Sequence, residues 1–323
     1  MTADNRLPNL FKGAALIAAF FLLGCKPAAQ ANTKNLKSWA YLIPASFYAS
    51  GFESRLKNYY VLCLGVYRLD QAGNLYLRPK LTGKQWQQLG RLRKGRKLYP
   101  LISLRSARAG ANMLADATAR SRAIAKLSAL MQQRNYDGMH IDFEYLTDKH
   151  RPNFKLFLGE LKKVMKDKTL SIAAFPPFYG RPDEAAFHDV KDLKDVIDEV
   201  MYMTYDYHKK KPGPVTHLGW VEKNIREGLK HISAERIWLG IPGYGYEWQP
   251  PKTRPRALSQ RATKQLCTNH RCMRHDSGML KLTRPGKIAY LMDYKMHHRL
   301  VKLAQHLGVR GWALWRIGFE ELP

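Results

Sequence analysis

An α/β chain closed into a (β/α)8 TIM barrel, with a small insertion after strand 7, is the fold the sequence predicts. Three observations carry the prediction. Eight short apolar runs alternate with amphipathic helical stretches, the pattern of a parallel sheet covered on both faces. They span roughly 280 residues, close to the ~250 of a typical barrel. No Gly-rich phosphate turn follows the first run, as an open doubly wound sheet would carry.

The first stretch of chain is an address and not a barrel element. Gly13–Leu23 is apolar, follows Arg6 and Lys12, and leads into Leu22-Leu23-Gly24-Cys25. Such a run is too short to cross ~30 Å of hydrocarbon at 1.5 Å per residue, but it suits a secretory signal core. A buried helix is the alternative, and the flanking cations with small Gly24 argue against it. Leu-Leu-Gly-Cys resembles the lipobox of bacterial lipoproteins. That resemblance implies a signal peptide over residues 1–24, a lipid on Cys25, and an exported protein anchored to an envelope membrane. Lys26 stands where enteric lipoproteins kept at the inner membrane carry Asp, which favours the outer membrane, facing the periplasm. Residues 25–37, rich in Lys, Ala, Asn and Gln, read as a tether.

The barrel is expected over residues 38–320. Its runs are Trp39–Pro44, Tyr59–Tyr67, Lys97–Ser103, Gly138–Phe143, Leu170–Phe175, Val200–Tyr205, Ile237–Ile241 and Gly311–Trp315. Helical periodicity marks Ala115–Arg134, Asn153–Lys166, Trp220–His231 and Met296–Leu307 between them. Residues 243–287 break the rhythm, are basic, and contain Cys267 and Cys272, so they read as the insertion. In an oxidising compartment those two cysteines can pair; a metal site with His270 or His275 is the rival. Cys63 lies in an apolar run and is expected to be buried.

Composition narrows the function classes. Hydrophobic residues make up 45%, enough for a full core, which excludes wholesale disorder and collagen-like repeats. With four cysteines the chain is no disulfide scaffold. The formal charge is +28, and +27 once residues 1–24 are removed, which predicts attraction to polyanions. Nucleic acid is one such class, but export and the carboxylate cluster below argue against it. The densest basic runs are Arg91–Lys97 and Lys209–Lys211; both read as solvated faces, or the second as a cleft rim.

The chemistry lies in Tyr136-Asp137-Gly138-Met139-His140-Ile141-Asp142-Phe143-Glu144-Tyr145. Strand side chains alternate, so His140, Asp142 and Glu144 face the barrel interior while Met139, Ile141 and Phe143 face the helices. Polar groups aimed into a packed interior are costly without a purpose. Neighbouring carboxyls raise one another's pKa, so one can stay protonated as an acid.

This segment resembles the signature of glycoside hydrolase family 18, the chitinase-like family. Met203-Thr204-Tyr205-Asp206, Leu239–Gly245 and Gly311–Trp315 resemble its sixth-, seventh- and eighth-strand motifs, in the right order. The resemblance implies retaining hydrolysis of β-linked N-acetylglucosamine glycans, with the substrate's acetamido group as nucleophile and no metal or other cofactor. In that scheme Glu144 is the general acid, Asp142 orients the acetamido group and Tyr205 bonds its carbonyl. Asp206, Trp315, Tyr244, Tyr41 and Met203 contact the sugar, and Asp137 holds the strand end. Tyr244, Tyr246 and Trp248 are expected to be exposed for sugar stacking. His140 departs from the usual Asp, and as a protonated imidazole it is expected to favour ionised Asp142 and alter the pH profile. The charge and the His140 departure favour peptidoglycan over chitin oligomers or N-glycans. A non-hydrolytic glycan-binding module is the reading from another class, and a monomer is expected.

Overall fold

The computed structural model describes residues 36–321 apart from positions 79 and 253. The expected signal peptide, Cys25 and all but the end of the expected tether lie outside those residues. Lys37, assigned to the tether, opens the first strand.

Eight parallel strands close on themselves. In chain order they are Lys37–Leu42, Val61–Leu69, Lys97–Leu104, Gly138–Asp142, Thr169–Ala174, Glu199–Tyr202, Ile237–Pro242 and Gly311–Trp315. The first strand pairs with the second and with the eighth, from Lys37↔Gly311 to Ala40↔Leu314, and this completes the ring. A short strand, Leu75–Leu77, folds back antiparallel on the second. The strands are buried on nearly every position, because the interior fills one face and the helices cover the other.

The covering helices begin where side chains can cap them. Thr82 and Gln85 form a reciprocal capping box at Gly83–Leu92, and Asp293 accepts the Met296 amide at Tyr294–His306. The helix expected from Ala115 begins at Ala117, and a further helix, Ala107–Ala115, precedes it. Asp116 is extended, ends Ala107–Ala115, and caps Ala117–Arg134 by accepting the Ala119 amide at 2.7 Å. The other long helices are Arg151–Met165 and Leu218–Gly228.

The insertion is a five-stranded antiparallel sheet ordered Arg256–Ser259, Tyr244–Trp248, Lys287–Leu291, Leu280–Arg284, Met273–Arg274. It extends to Leu291, beyond the expected Lys287, because the last of these strands in sequence pairs on both sides. Leu258, Leu282, Ala289 and Leu291 form its own core. Cys267, on helix Gln260–Asn269, is disulfide-bonded to Cys272, with Cα atoms 5.3 Å apart, which removes the metal-site alternative. Cys63 is a buried free thiol.

Two acids set strand register at the N-terminal end of the barrel. Asp137 accepts the Leu98 amide at 2.8 Å from the neighbouring strand and faces Arg93 at 3.3 Å. Asp198 repeats the device two strands on, accepting the Leu170 amide at 2.7 Å beside Lys162. Each carboxylate joins adjacent parallel strands before their ladder begins. The basic run Arg91–Lys97 lies at this end: Arg93 also donates to Asn135 and Arg96 to Leu92, so part of it is structural.

The barrel interior is aromatic. Trp39 meets Tyr99 and Trp238 edge to face, each at 5.3 Å between centroids, and His140 at 4.8 Å. His140 is fully buried, its Nε2 2.8 Å from the Tyr41 hydroxyl and its Nδ1 2.5 Å from Ser171 Oγ. Burial pushes the imidazole down to about 3, so it is neutral at physiological pH. The expected imidazolium is therefore corrected: the ring is a hydrogen-bonded core group, and hydroxyls rather than Asp142 engage its nitrogens.

The linkage has a definite sign. As pH falls through about 6.5, an unfolded chain takes up a proton that folded His140 refuses until about 3. Stability at this site is thus full above the unfolded value and lost towards acid, at up to ~1.4 kcal/mol per pH unit. In urea unfolding, His140→Asn is expected to lose about 2 kcal/mol less than the parent between pH 7 and pH 5. Equal losses in both proteins would refute the assignment.

Candidate active site

The C-terminal ends of the barrel strands hold the candidate site. Asp142 ends the fourth strand, and Glu144 follows after Phe143, which is buried against Phe157 and Phe154. The carbonyl of Phe143 accepts a hydrogen bond from His188 Nε2 at 3.1 Å, while the Phe175 amide donates to Nδ1 at 3.4 Å. Burial holds His188 neutral, at about 4. One neutral ring thus ties the ends of the fourth and fifth strands and steadies the backbone before Glu144. Tyr145 then takes a left-handed φ of 63°, which turns the chain away from the strand.

The sixth strand supplies Tyr205 and Asp206. Thr204 Oγ1 donates to the Gly240 carbonyl at 2.6 Å, and Thr216 Oγ1 donates to the Thr204 carbonyl at 2.9 Å. Gly240 has to be glycine: a Cβ there would lie 2.5 Å from the Tyr202 carbonyl and 3.0 Å from the Tyr205 ring. Asp206 has φ 57° and receives three donors. Tyr244 and Tyr246 hydroxyls approach Oδ1 at 2.5 and 2.8 Å, and Lys209 Nζ approaches Oδ2 at 2.8 Å. A strained backbone held by this many partners is the kind found where a side chain must be aimed.

One cleft gathers these groups. Tyr41, Asp142, Glu144, Met203, Tyr205, Asp206, Tyr244 and Trp315 all line its deep part, a pocket of about 130 Å³. Trp315 packs edge-on against Tyr41, with centroids 5.2 Å apart, and presents an apolar surface there. Asp137 lies at the opposite end of the barrel, as described above, and His140 lies beneath the pocket without lining it. Lys209 borders the cleft, whereas Lys210 and Lys211 are exposed and do not line it.

The expectation that Tyr244, Tyr246 and Trp248 are exposed is overturned. All three are buried, because the two phenols are used on Asp206 and the Trp248 indole donates to the Lys209 carbonyl at 3.1 Å. Other aromatics take the rim: Tyr145 is exposed beside Glu144, and Tyr179 stacks on Phe175 at 4.4 Å. Sequence reasoning missed both. Adjacency to Glu144 could have flagged Tyr145, but no local pattern marks Tyr179.

The electrostatics follow from crowding. Burial first, and then the charge of Glu144, pushes Asp142 well above the usual carboxyl range. Burial raises Glu144 too; Asp206 and Glu184 add to this, while a hydrogen bond from Tyr145 and the charge of Lys209 hold it down. The pair resists holding two charges, so one proton stays on it where isolated carboxyls would be bare. Tyr205 is also raised well, by burial and by the acids around it, and remains a neutral donor. A retained acid proton, a second carboxyl and a phenol in one cleft can protonate a leaving group and hold a polar substituent beside it. Among the described residues no cluster of three or more metal-ligating side chains occurs.

Comparison with known proteins bears on the family and the fold. The family model described as "Glycosyl hydrolases family 18" matches residues 78–319. The chain is 27% identical over 142 residues to the uncharacterized glycosylase YvbX of Bacillus subtilis, covering 42% of this chain and 41% of that protein. It is 25% identical over 230 residues to the cortical fragment-lytic enzyme of the same organism, covering 65% and 53%. It therefore spans about two fifths to one half of these relatives. Among solved structures, the Bacillus cereus spore cortex-lytic enzyme SleL superimposes with a TM-score of 0.77 at 20% identity, covering 88% of this chain and 71% of that one. A class V chitinase of Pseudomonas fluorescens gives 0.78 at 20% identity, with 88% and 96% covered. At those identities the structural likeness speaks for the fold.

Proposed function

The chain belongs to glycoside hydrolase family 18, and from that premise we propose that it is a retaining, substrate-assisted hydrolase of β-linked N-acetylglucosamine glycans, with peptidoglycan as its polymer. The observation that carries this reading is the meeting of Glu144, Asp142, Tyr205 and Trp315 in one cleft at the C-terminal mouth of the barrel.

The chemistry follows from the protonation states. The coupled pair retains one proton; in this reading it sits on Glu144 when the glycan is bound, and Glu144 gives it to the glycosidic oxygen as the C1–O bond breaks. The acetamido oxygen of the same sugar attacks C1 and forms a cyclic oxazolinium. Asp142 bonds the acetamido N–H and stabilises the positive charge, while the Tyr205 hydroxyl donates to the acetamido oxygen and aligns it. The pyranose lies on Trp315, and Asp206, held by its three donors, faces the sugar hydroxyls. Glu144, now ionised, takes a proton from water, whose oxygen opens the ring at C1. This route is an exception to the two-carboxylate scheme, so the separation of Asp142 and Glu144 does not report the stereochemistry.

Two observations support an anionic wall polymer. The formal charge of +28 favours carboxylate- or phosphate-bearing glycans over neutral chitin. Some relatives carry the names of cortex-fragment-lytic enzymes. The envelope location rests on Leu22–Cys25 and export on the apolar run before it.

Full-length protein incubated with peptidoglycan, chitin oligomers and N-glycans is expected to release new reducing ends from peptidoglycan. Glu144→Gln should lower that rate by about 10²–10⁴-fold. Binding without cleavage would point to a glycan-binding module, and cleavage of chitin oligomers alone would move the substrate to neutral polymers. The basic limb of kcat/KM, set by the Glu144 proton, should lie above the usual carboxyl range. Lys209→Met removes a cation that holds Glu144 down, so the limb should move to higher pH; a limb that stays put or moves down contradicts the assignment of Glu144 as the acid. In cells fed an alkyne fatty acid, the protein should become labelled and Cys25→Ser should not. Equal labelling of the two would remove Cys25 as the anchor.

A further inference from the structure

The cleft does not end at the pocket. Past Trp315 it widens into a groove of about 610 Å³ that shares Leu101, Asp142, Glu144, Tyr145 and Trp315 with the pocket. Arg68, Arg78 and Arg105 line this groove. Their backbones are held by the sheet. Arg68 is in register with Ser103 on one side and Tyr76 on the other, the Arg78 amide donates to Val66 at 2.6 Å, and the Arg105 amide donates to Leu69 at 2.9 Å.

Several arginines elsewhere in the chain are tied down. Arg93, Arg120 and Arg236 donate to backbone carbonyls, and Arg274 and Arg284 pair with carboxylates. Among the described residues the side chains of Arg68, Arg78 and Arg105 have no such hydrogen bond or ion pair, and all three are exposed. Among the described residues the groove lining contains no acid other than Asp142 and Glu144. Helix Ala107–Ala115 also starts on this wall, through Ser106 and Ala107, so its partial positive end adds to the field. Lys80 extends the patch beside Arg68 and Arg78. Guanidinium groups gathered without partners repel one another and contribute nothing to the fold, whereas an anion among them makes charge-assisted, forked hydrogen bonds.

We propose that this groove is an anion subsite in which Arg68, Arg78 and Arg105 bind the carboxylates that an acidic glycan carries beside the N-acetylglucosamine cleaved at Glu144. The assignment rests on the glycosidase reading above and specifies what the glycan bears there: lactyl or peptide carboxylates, as opposed to the bare hydroxyls of chitin.

The test uses full-length Glu144→Gln protein, so that ligand survives, and measures binding at physiological salt. The probes are an N-acetylglucosaminyl-N-acetylmuramyl-peptide and the same fragment with its carboxyls amidated. The acid form is expected to bind about 10-fold more tightly, roughly the strength of one charge-assisted contact. Adding Arg68→Gln, Arg78→Gln and Arg105→Gln together should bring the ratio to within about twofold of one. Arg91→Gln with Lys94→Gln, at the far end of the barrel, should leave the ratio as it was. Equal binding of acid and amide overturns the subsite, as does a ratio that survives the triple change or falls equally in the far-end control. If the wild type leaves peptidoglycan uncut while the acid preference and its loss in the triple variant remain, the hydrolase reading falls and the subsite stands.

Discussion

Two carboxyl groups two positions apart, one at the end of a strand and one just beyond it, must share a pocket with little water, and the surrounding structure is arranged around that constraint. Asp142 and Glu144 face the same way because a strand repeats every second residue. Burial and mutual repulsion then make a doubly charged pair unfavourable. Among the described residues neither acid is paired directly with a cation. Lys209 is given to Asp206, close enough to temper Glu144 without discharging it. Its proton is kept on the pair by the same crowding that would ordinarily count against such a site.

Precision at the mouth depends on rigidity beneath it. The interior is an edge-to-face aromatic cluster around Trp39, and His140 enters it as a neutral member whose two nitrogens are both used by hydroxyls. His188 does a comparable task nearer the surface, bridging the ends of two strands without carrying charge. At the other end Asp137 and Asp198 hold adjacent strands in register. The inserted sheet reaches the site as well, because Tyr244 and Tyr246 are on its Tyr244–Trp248 strand and both hold Asp206. An element that looked like an appendage is thus part of the wall of the cleft.

The basic surface is not uniform in its use. At the N-terminal end of the barrel, Arg93 and Arg96 close off exposed carbonyls, a structural duty that uses up part of a dense run. Along the groove, Arg68, Arg78 and Arg105 have no such duty among the described residues. A net charge describes neither case; what differs is whether each guanidinium already has an oxygen to hold.

The eight barrel strands were legible because a strand buried on both faces is written as a continuous apolar run, and that is a local property. The alternation that puts Asp142 and Glu144 on one face was legible for the same reason. Tyr205 and Trp315 lie far away in sequence, and only their motifs connected them to the pair. The helix Ala107–Ala115 was missed, and the start of the next was set two residues early, because a capping side chain at Asp116 and a helical one look alike until the backbone is seen. The charge on His140, the burial of Tyr244, Tyr246 and Trp248, and the presence of Tyr179 in the cleft were not legible. Sequence alone determined which residue types recur on which face, since backbone geometry imposes that periodicity whatever surrounds it. Only the tertiary structure decided which of them hold protons, meet solvent or find partners, because desolvation and Coulomb interaction depend on neighbours in space that the chain brings together from distant positions.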